Sequence, residues 1–150
     1  MAPNSLFKDL LNALNRCEVK YLVVGGYAVM LYTEPRFTKD LDIWVEATPE
    51  NAARVYRALA GFGAPLVNIQ PEEFAKPDLL YQLGVAPSRI DILTSISGVV
   101  FADAWPRRKE ADFDGITATF IAVEDLLINK RATGRAVDLL DCERLGESAR

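Results

Sequence analysis

Asp40-Leu41-Asp42 places two carboxylates two residues apart at the entrance to the apolar run Ile43-Trp44-Val45. Alternate residues of a strand share a face, so both acids project to one side, about 7 Å apart along the backbone. Beside an apolar strand they repel each other and are partly desolvated. A hard divalent cation held between them removes both costs. Neutralisation by Arg36 or Lys39 at an exposed strand mouth is the simpler alternative.

Gly25-Gly26, ending fourteen residues before Asp40, closes the run Leu22-Val23-Val24. Glycines between a strand and a helix let backbone amides approach a phosphate, and the helix N-terminus favours its negative charge. A glycine pair also serves where strand and helix merely pack tightly. A third acid, Asp91, sits inside Arg89-Ile90-Asp91-Ile92-Leu93, which otherwise has the composition of a buried strand. A charge there is costly unless it is paired, for instance with Arg89, or bound to metal. Three carboxylates on two strands beside a glycine turn suit two-metal phosphoryl transfer.

The chain contains no histidine. That excludes imidazole-based zinc sites, histidine-activated serine or cysteine nucleophiles, and histidine proton shuttles. Carboxylates, hydroxyls, amines, backbone amides and hard metal ions remain. Cys17 and Cys142 stand far apart with no ligand types beside them, and read as inert thiols of a reducing cytosol rather than a disulfide or redox pair. The 21 acidic and 17 basic side chains give a net charge of −4, which argues against a sequence-independent grip on nucleic acid. No basic tail hides inside that total, since from Arg107 onward eight Lys/Arg are met by nine Asp/Glu. The opening Met1-Ala2-Pro3-Asn4-Ser5 has no export-signal pattern, and the apolar run from Tyr21 to Tyr32 is too short to cross a bilayer. The expectation is a cytoplasmic protein with no membrane partner.

The elements that must position these residues follow from periodicity. The 150 residues suggest one domain over 1–150. Ser5 opens a helix carrying Leu6, Leu10, Leu14 and Cys17, followed by a strand at Tyr21–Val24 and a short helix at Tyr27–Tyr32. Leu41–Val45 is the next strand, and Thr48-Pro49-Glu50 starts a helix ending near Gly61. Residues 63–77 read as loop with a weak edge strand at Leu66-Val67. Leu79–Leu83 and Ile90–Leu93 are further strands, Gly98–Trp105 a helical turn, and Asp114-Gly115 the type I′ turn of a hairpin. Helices at Glu124–Thr133 and Arg135–Leu145, broken near Gly134, close the chain. The fold class is α+β (α/β), a mixed β-sheet flanked by helices with a C-terminal helical pair.

Gly25-Gly26, Asp40/Asp42 and the later Asp91 together resemble the signature of the DNA polymerase β-type nucleotidyltransferase superfamily. Gly25-Gly26-Tyr27-Ala28 is similar to the Gly-Gly-x-Ala of its small stand-alone bacterial members, the AbiEii-type toxins and the lincosamide and aminoglycoside nucleotidyltransferases. The resemblance extends over about residues 20 to 145. It implies a nucleotidyltransferase-like fold and transfer of an NMP group from a nucleoside triphosphate, ATP above all, to a hydroxyl, with pyrophosphate released. It implies that Asp40, Asp42 and Asp91 hold two Mg²⁺ ions, that Asp91 orients or deprotonates the acceptor, and that Gly25 and Gly26 amides hold the outer phosphates. The stretch from Asn129 to Asp141 also resembles these families, and it makes Lys130 and Arg135 candidates for the triphosphate. Pairing of Arg135 with Asp138 or Asp141, simply to join two helices, is the alternative. Lys39 is a further candidate phosphate contact. The implied acceptor is a protein, an RNA end such as that of tRNA, or a small hydroxyl compound, with a homodimer or an antitoxin partner completing the cleft. A catalytically silent nucleotide-binding or interaction module is the reading from another class.

Overall fold

Tyr21–Val24 (β1) runs directly into the helix Gly25–Tyr32 (α2) and, after it, Leu41–Val45 (β2) returns antiparallel beside β1. This first β-α-β passage already brings the glycine pair and the acid pair to one end of the sheet. The computed structural model describes residues 5–34, 40–85 and 88–148. Lys39 and Arg36, and with them the expected phosphate contact and countercharge, lie outside the described residues.

The remaining elements are Ser5–Arg16 (α1), Pro49–Phe62 (α3), Leu80–Leu83 (β3), Ile90–Leu93 (β4), Phe101–Ala104 (α4), Lys109–Phe113 (β5), Ile116–Phe120 (β6), Val123–Thr133 (α5) and Ala136–Ser148 (α6). The strands form one six-stranded sheet in the order β3-β4-β2-β1-β6-β5. β2 pairs in parallel with β4 and β1 with β6, and the other neighbours are antiparallel, so the sheet is mixed. The architecture is α+β, with α1 packed on α3 and α2 packed on the C-terminal pair α5 and α6.

Local chemistry accounts for most of these bounds. Thr48 caps α3 by accepting from the Asn51 amide, Pro49 takes the first helical position, and Gly63 ends the helix in the left-handed conformation at φ +96°. Asp114 and Gly115 both have positive φ, +50° and +92°, as a type I′ hairpin turn requires. Gly134, at φ +70°, stops α5 and separates Arg131 from Arg135, which on a continuous helix would repel. The sequence expectation of an edge strand at Leu66-Val67 is not met. Those residues lie in a turn, and the ordered part of that connection is a 3-10 helix at Pro71–Ala75, whose Pro71 and Gln70–Glu73 capping box favour a helical turn. α2 begins at Gly25 rather than at Tyr27, so both glycines belong to its first turn.

Burial follows the expected faces. Phe7, Leu10 and Leu14 of α1, Val55 and Leu59 of α3, and nearly all of β1, β2 and β4 are shut off from solvent. Trp44 packs edge-on against Phe101 at 5.0 Å between centroids, and Phe101 in turn stacks on Trp105 at 5.6 Å. Tyr27 packs against Phe7 and Phe113. These aromatics are packing groups rather than stacking platforms for a base. No helix among the described residues is long and apolar enough to cross a membrane.

One polar residue that hydrophobic periodicity does not reveal ties the chain together. Asn51 is buried, and its side chain accepts from the Lys20 amide at 2.8 Å and donates to the carbonyls of Lys20 and Glu46 at 3.0 and 2.9 Å. It thereby joins the start of α3 to the segments flanking β1 and β2, the two strands that present the glycine and acid pairs. Asn51→Ala takes a partner from the Lys20 amide and from the carbonyls of Lys20 and Glu46, of which the Lys20 carbonyl keeps its bond from the Glu46 amide, and should cost about 2–3 kcal/mol. Urea unfolding of the variant measures this directly, and a change below about 1 kcal/mol would show that the three bonds do not anchor β1 and β2.

Candidate active site

Asp42 sits in register with Val24 of β1 on one side and with Asp91 of β4 on the other. Because β2 and β4 are parallel and in register, the two carboxylates lie on one face of neighbouring strands, about 4.8 Å apart in backbone spacing. Neither strand could place an acid there from local propensity alone. The pair exists because the β2–β4 register aligns Leu41 with Ile90 and Ile43 with Ile92, and these four side chains are fully buried. Slipping either strand by one residue would turn its acid to the other face and part the pair.

The backbone above the pair is shaped to fit it. Gly25 has φ +68°, and a Cβ built at that position would strike Asp42 Oδ2 and come within 3.0 Å of its Cγ. Glycine is thus required twice over, for the conformation and for the approach of the chain to the carboxylate. Val24, the residue preceding α2, is extended, and no side chain caps the helix start. The first-turn amides of Gly25 and Gly26 are therefore not taken by a side-chain cap at the end of β1.

Burial and like charge dominate the electrostatics. Removal from water, the neighbouring Asp91 carboxylate, the hydrogen bond between the two, and the more distant Asp40 together push the Asp42 carboxyl up to about 7, with Lys130 opposing weakly. Asp91 is 8% exposed, and its Oδ1 is buried with no hydrogen-bond partner. Asp40 belongs to the same cluster but is held differently: its Oδ2 accepts from Arg89 Nη2 at 2.6 Å. Arg89 also stands 3.4 Å from Asp91 Oδ1, so the pairing with Arg89 that the sequence offered for Asp91 is present as an ion pair. Among the described residues no group of three or more acid or thiol side chains is gathered ready-made around a cation position. Asp42 and Asp91 form a pair, and Asp40 is drawn towards Arg89.

The opposite wall is basic, and α5 and α6 build it. Lys130, 6% exposed, donates to Asp138 Oδ1 at 3.1 Å and lies 3.5 Å from Asp141 Oδ2. Arg135 Nε donates to Asp138 Oδ2 at 2.6 Å, and the Thr133 hydroxyl donates to the same oxygen at 2.6 Å. Burial would push the Asp138 carboxyl up, but the hydrogen bonds from Arg135, Thr133 and Lys130 outweigh it and hold the group at about 2. The helix-joining role for Arg135 is therefore real. Both cations nevertheless also line a cleft of about 440 Å³ whose floor is Val24, Gly25 and Asp42. Asp78, Ser95, Ser97 and Asn129 complete its polar rim. Sequence reasoning passed over Asp78 and took Asn129 only as the first residue of the Asn129 to Asp141 stretch, with no role of its own. Asn129 donates from Nδ2 to the Ser97 carbonyl at 2.9 Å, and the Asp78 amide donates to Ser95 Oγ at 2.9 Å, so both shape the rim. The two cysteines are free thiols away from this cleft.

Residues 4–146 match the family described as nucleotidyltransferase of unknown function (DUF6036), and the chain belongs to that family. No curated protein matches it in sequence. Among solved structures it is similar to a candidate nucleotidyltransferase of Thermotoga maritima, with a TM-score of 0.61 at 16% identity, over 100% of this chain and 97% of the other. It is similar to the lincosamide antibiotic adenylyltransferase LnuA in its lincomycin-bound form, with a TM-score of 0.59 at 15% identity over 98% of each chain. An antigenic nucleotidyltransferase-like protein from Paracoccidioides brasiliensis aligns at a TM-score of 0.55 and 17% identity, over 93% of this chain and 74% of its own. At these identities the likeness establishes the nucleotidyltransferase-like fold.

The raised Asp42 carboxyl carries a stability signature with a definite sign. The unfolded chain releases this proton near 3.8 and the folded chain near 7, so the folded state loses stability as pH rises between those values. Asp42→Asn removes the loss. In a metal-free chelating buffer the variant should exceed the wild type above pH 7 by on the order of 2–4 kcal/mol, and the gap should shrink towards pH 5. Thermal melts from pH 5 to 8.5 test this, and a gap independent of pH would contradict the assignment of the shift to burial and Asp91.

Proposed function

We propose that this member of a nucleotidyltransferase family transfers an NMP group from a nucleoside triphosphate, with ATP as donor, to an acceptor hydroxyl and releases pyrophosphate. The observation that carries this reading is Asp42, paired with Asp91 beneath a glycine turn that must lack a Cβ and lining one cleft with Lys130 and Arg135. The donor set fits Mg²⁺. It consists of hard carboxylate oxygens, one of them, Asp91 Oδ1, buried and without a hydrogen bond, and the pair is costly to ionise without a cation. In this reading Asp42 and Asp91 hold the metal, with Asp40 as a further ligand and two ions expected. When bound, Mg²⁺ supplies the positive charge that offsets the triphosphate and withdraws electrons from the α-phosphoryl group.

The chain's own residues then have separable tasks. The amides of Gly25 and Gly26 point the start of α2 at the outer phosphates. Lys130, fixed by Asp138 and Asp141, provides immobile positive charge on the facing wall. Arg135, with 70% of its side chain exposed, can turn from Asp138 to a phosphate oxygen. Asp91 takes the proton of the acceptor hydroxyl as its oxygen attacks the α-phosphorus in line, and the bond to the pyrophosphate oxygen breaks. A cleft of about 440 Å³ suits one small ligand, so part of the acceptor surface must come from outside it, from a second copy or a partner. The likeness to an adenylyltransferase with lincomycin bound supports ATP as donor and a small hydroxyl compound as acceptor over a protein or an RNA end.

Incubation with α-labelled ATP, CTP, GTP and UTP, Mg²⁺ and a cell extract with its small molecules tests the reading. Label should move to an acceptor, and Asp42→Asn and Asp91→Asn should each lose about 100-fold or more of the rate. Mg²⁺–ATP should raise the melting temperature of the wild type and not of Asp42→Asn, more strongly as pH rises through about 7 and the carboxyl ionises. Binding without transfer would return the silent-module reading. No shift with any triphosphate would overturn the assignment.

A further inference from the structure

Arg89 immediately precedes β4, and its side chain turns back onto the acid cluster. Its two contacts there differ in kind. Nη2 donates a hydrogen bond of 2.6 Å to Asp40 Oδ2. Nε lies 3.4 Å from Asp91 Oδ1, yet both atoms are buried and neither has a hydrogen-bond partner. A guanidinium settled on a carboxylate makes short bonds of about 2.8 Å through its planar fork. Against Asp91 it supplies charge alone and leaves an oxygen unused.

Exposure differs across the contact as well. The Asp91 side chain, on a central strand, is 12% exposed, whereas that of Arg89 is 41% exposed. The Arg89 backbone is anchored, since its carbonyl accepts from the Leu41 amide at 3.1 Å. Only the side chain needs to move for the guanidinium to reach water, at the cost of its bond to Asp40.

We propose that Arg89 is a resident counter-cation of the acid cluster: its guanidinium compensates Asp40 and Asp91 in the metal-free chain, and a divalent cation that takes Asp91 Oδ1 must displace it to solvent. Metal and guanidinium then exclude each other. By reciprocity, whatever Arg89 contributes to the metal-free cluster is subtracted from metal affinity. The inference rests on the reading of Asp42 and Asp91 as metal-holding residues. It adds that the site is closed by a side chain of its own, and Arg89 is a positioning residue rather than a catalytic one.

Calorimetric titration with Mn²⁺ alone at pH 8, without nucleotide, separates the two ideas. Arg89→Gln should bind about tenfold more tightly than the wild type. Arg89→Lys, which keeps the charge on a single ammonium, should fall between them, and Asp42→Asn should bind no metal. Wild-type binding that Asp42→Asn abolishes, but that Arg89→Gln leaves unchanged or weakens, would overturn this inference alone. Absence of binding in both the wild type and Arg89→Gln would overturn the metal reading with it. A second readout needs no substitution: the Arg89 Nε–H proton resonance, sheltered against Asp91, should broaden by exchange with water under saturating Mg²⁺. A signal unchanged at saturation would overturn displacement.

Discussion

Two carboxylates on neighbouring parallel strands, in register and shut away from most of the solvent, are the constraint on which the rest of this molecule turns. The core alone would favour apolar side chains at both positions, since Ile43, Trp44, Ile90 and Ile92 around them are fully buried. Keeping Asp42 and Asp91 there raises the free energy of the folded state whenever both ionise. The neighbouring features respond to that cost. Gly25 gives up its Cβ so that the chain can pass over the Asp42 carboxylate, Arg89 reaches in from the rim, and Asp40 is drawn off to the guanidinium. None of these residues has an equally good reason to stand where it does if the acid pair is removed.

The stability of the sheet makes the strain tolerable. β1 and β2 are central, enclosed by β6 on one side and β4 on the other, and Asn51 fastens the chain at their ends with three hydrogen bonds to backbone. A desolvated charge pair on an edge strand could relax by local fraying. On central strands it cannot, so its energy stays concentrated on the side chains. This is a general route by which a rigid scaffold keeps a functional group in an unfavourable ionisation state.

Much of this was legible in the sequence because the governing signals are local. Val24-Gly25, Thr48-Pro49, Asp114-Gly115 and Gly134 each mark a boundary through a conformational preference of one or two residues. Asp91 stood out because a charge inside Ile90-Asp91-Ile92 contradicts its surroundings. What the sequence could not carry was register. Nothing in β2 or β4 says that Asp42 and not Asp40 lies opposite Asp91, and that single fact decides which acid is desolvated and which is free to meet Arg89. Asn51 escaped for a related reason, since its three partners lie 5 and 31 positions away and no periodicity encodes them. The strand expected at Leu66-Val67 failed in the opposite direction, because two β-formers without a pairing neighbour cannot outweigh the proline turn that follows.

The balance of charge within the cleft differs from that of the chain as a whole. The basic wall is satisfied internally: Asp138 and Asp141 together meet Lys130, and Asp138 also meets Arg135 and Thr133. The acidic floor is not: among the described residues Arg89 gives it one hydrogen bond, to Asp40, and leaves Asp91 Oδ1 unmatched. Both walls line or adjoin the same cleft, so a ligand of one sign can satisfy only one of them. An anion alone gains from Lys130 and Arg135 but is repelled by Asp42, and a cation alone leaves the start of α2 without a partner. A triphosphate that arrives with its divalent cation carries both signs. The chain has no histidine, so the ionisable side chains that line this cleft are carboxylates, one lysine and one arginine. A surplus of four acids over the whole chain therefore gives little guidance to the ligand. The separation of charge across one cleft gives a great deal.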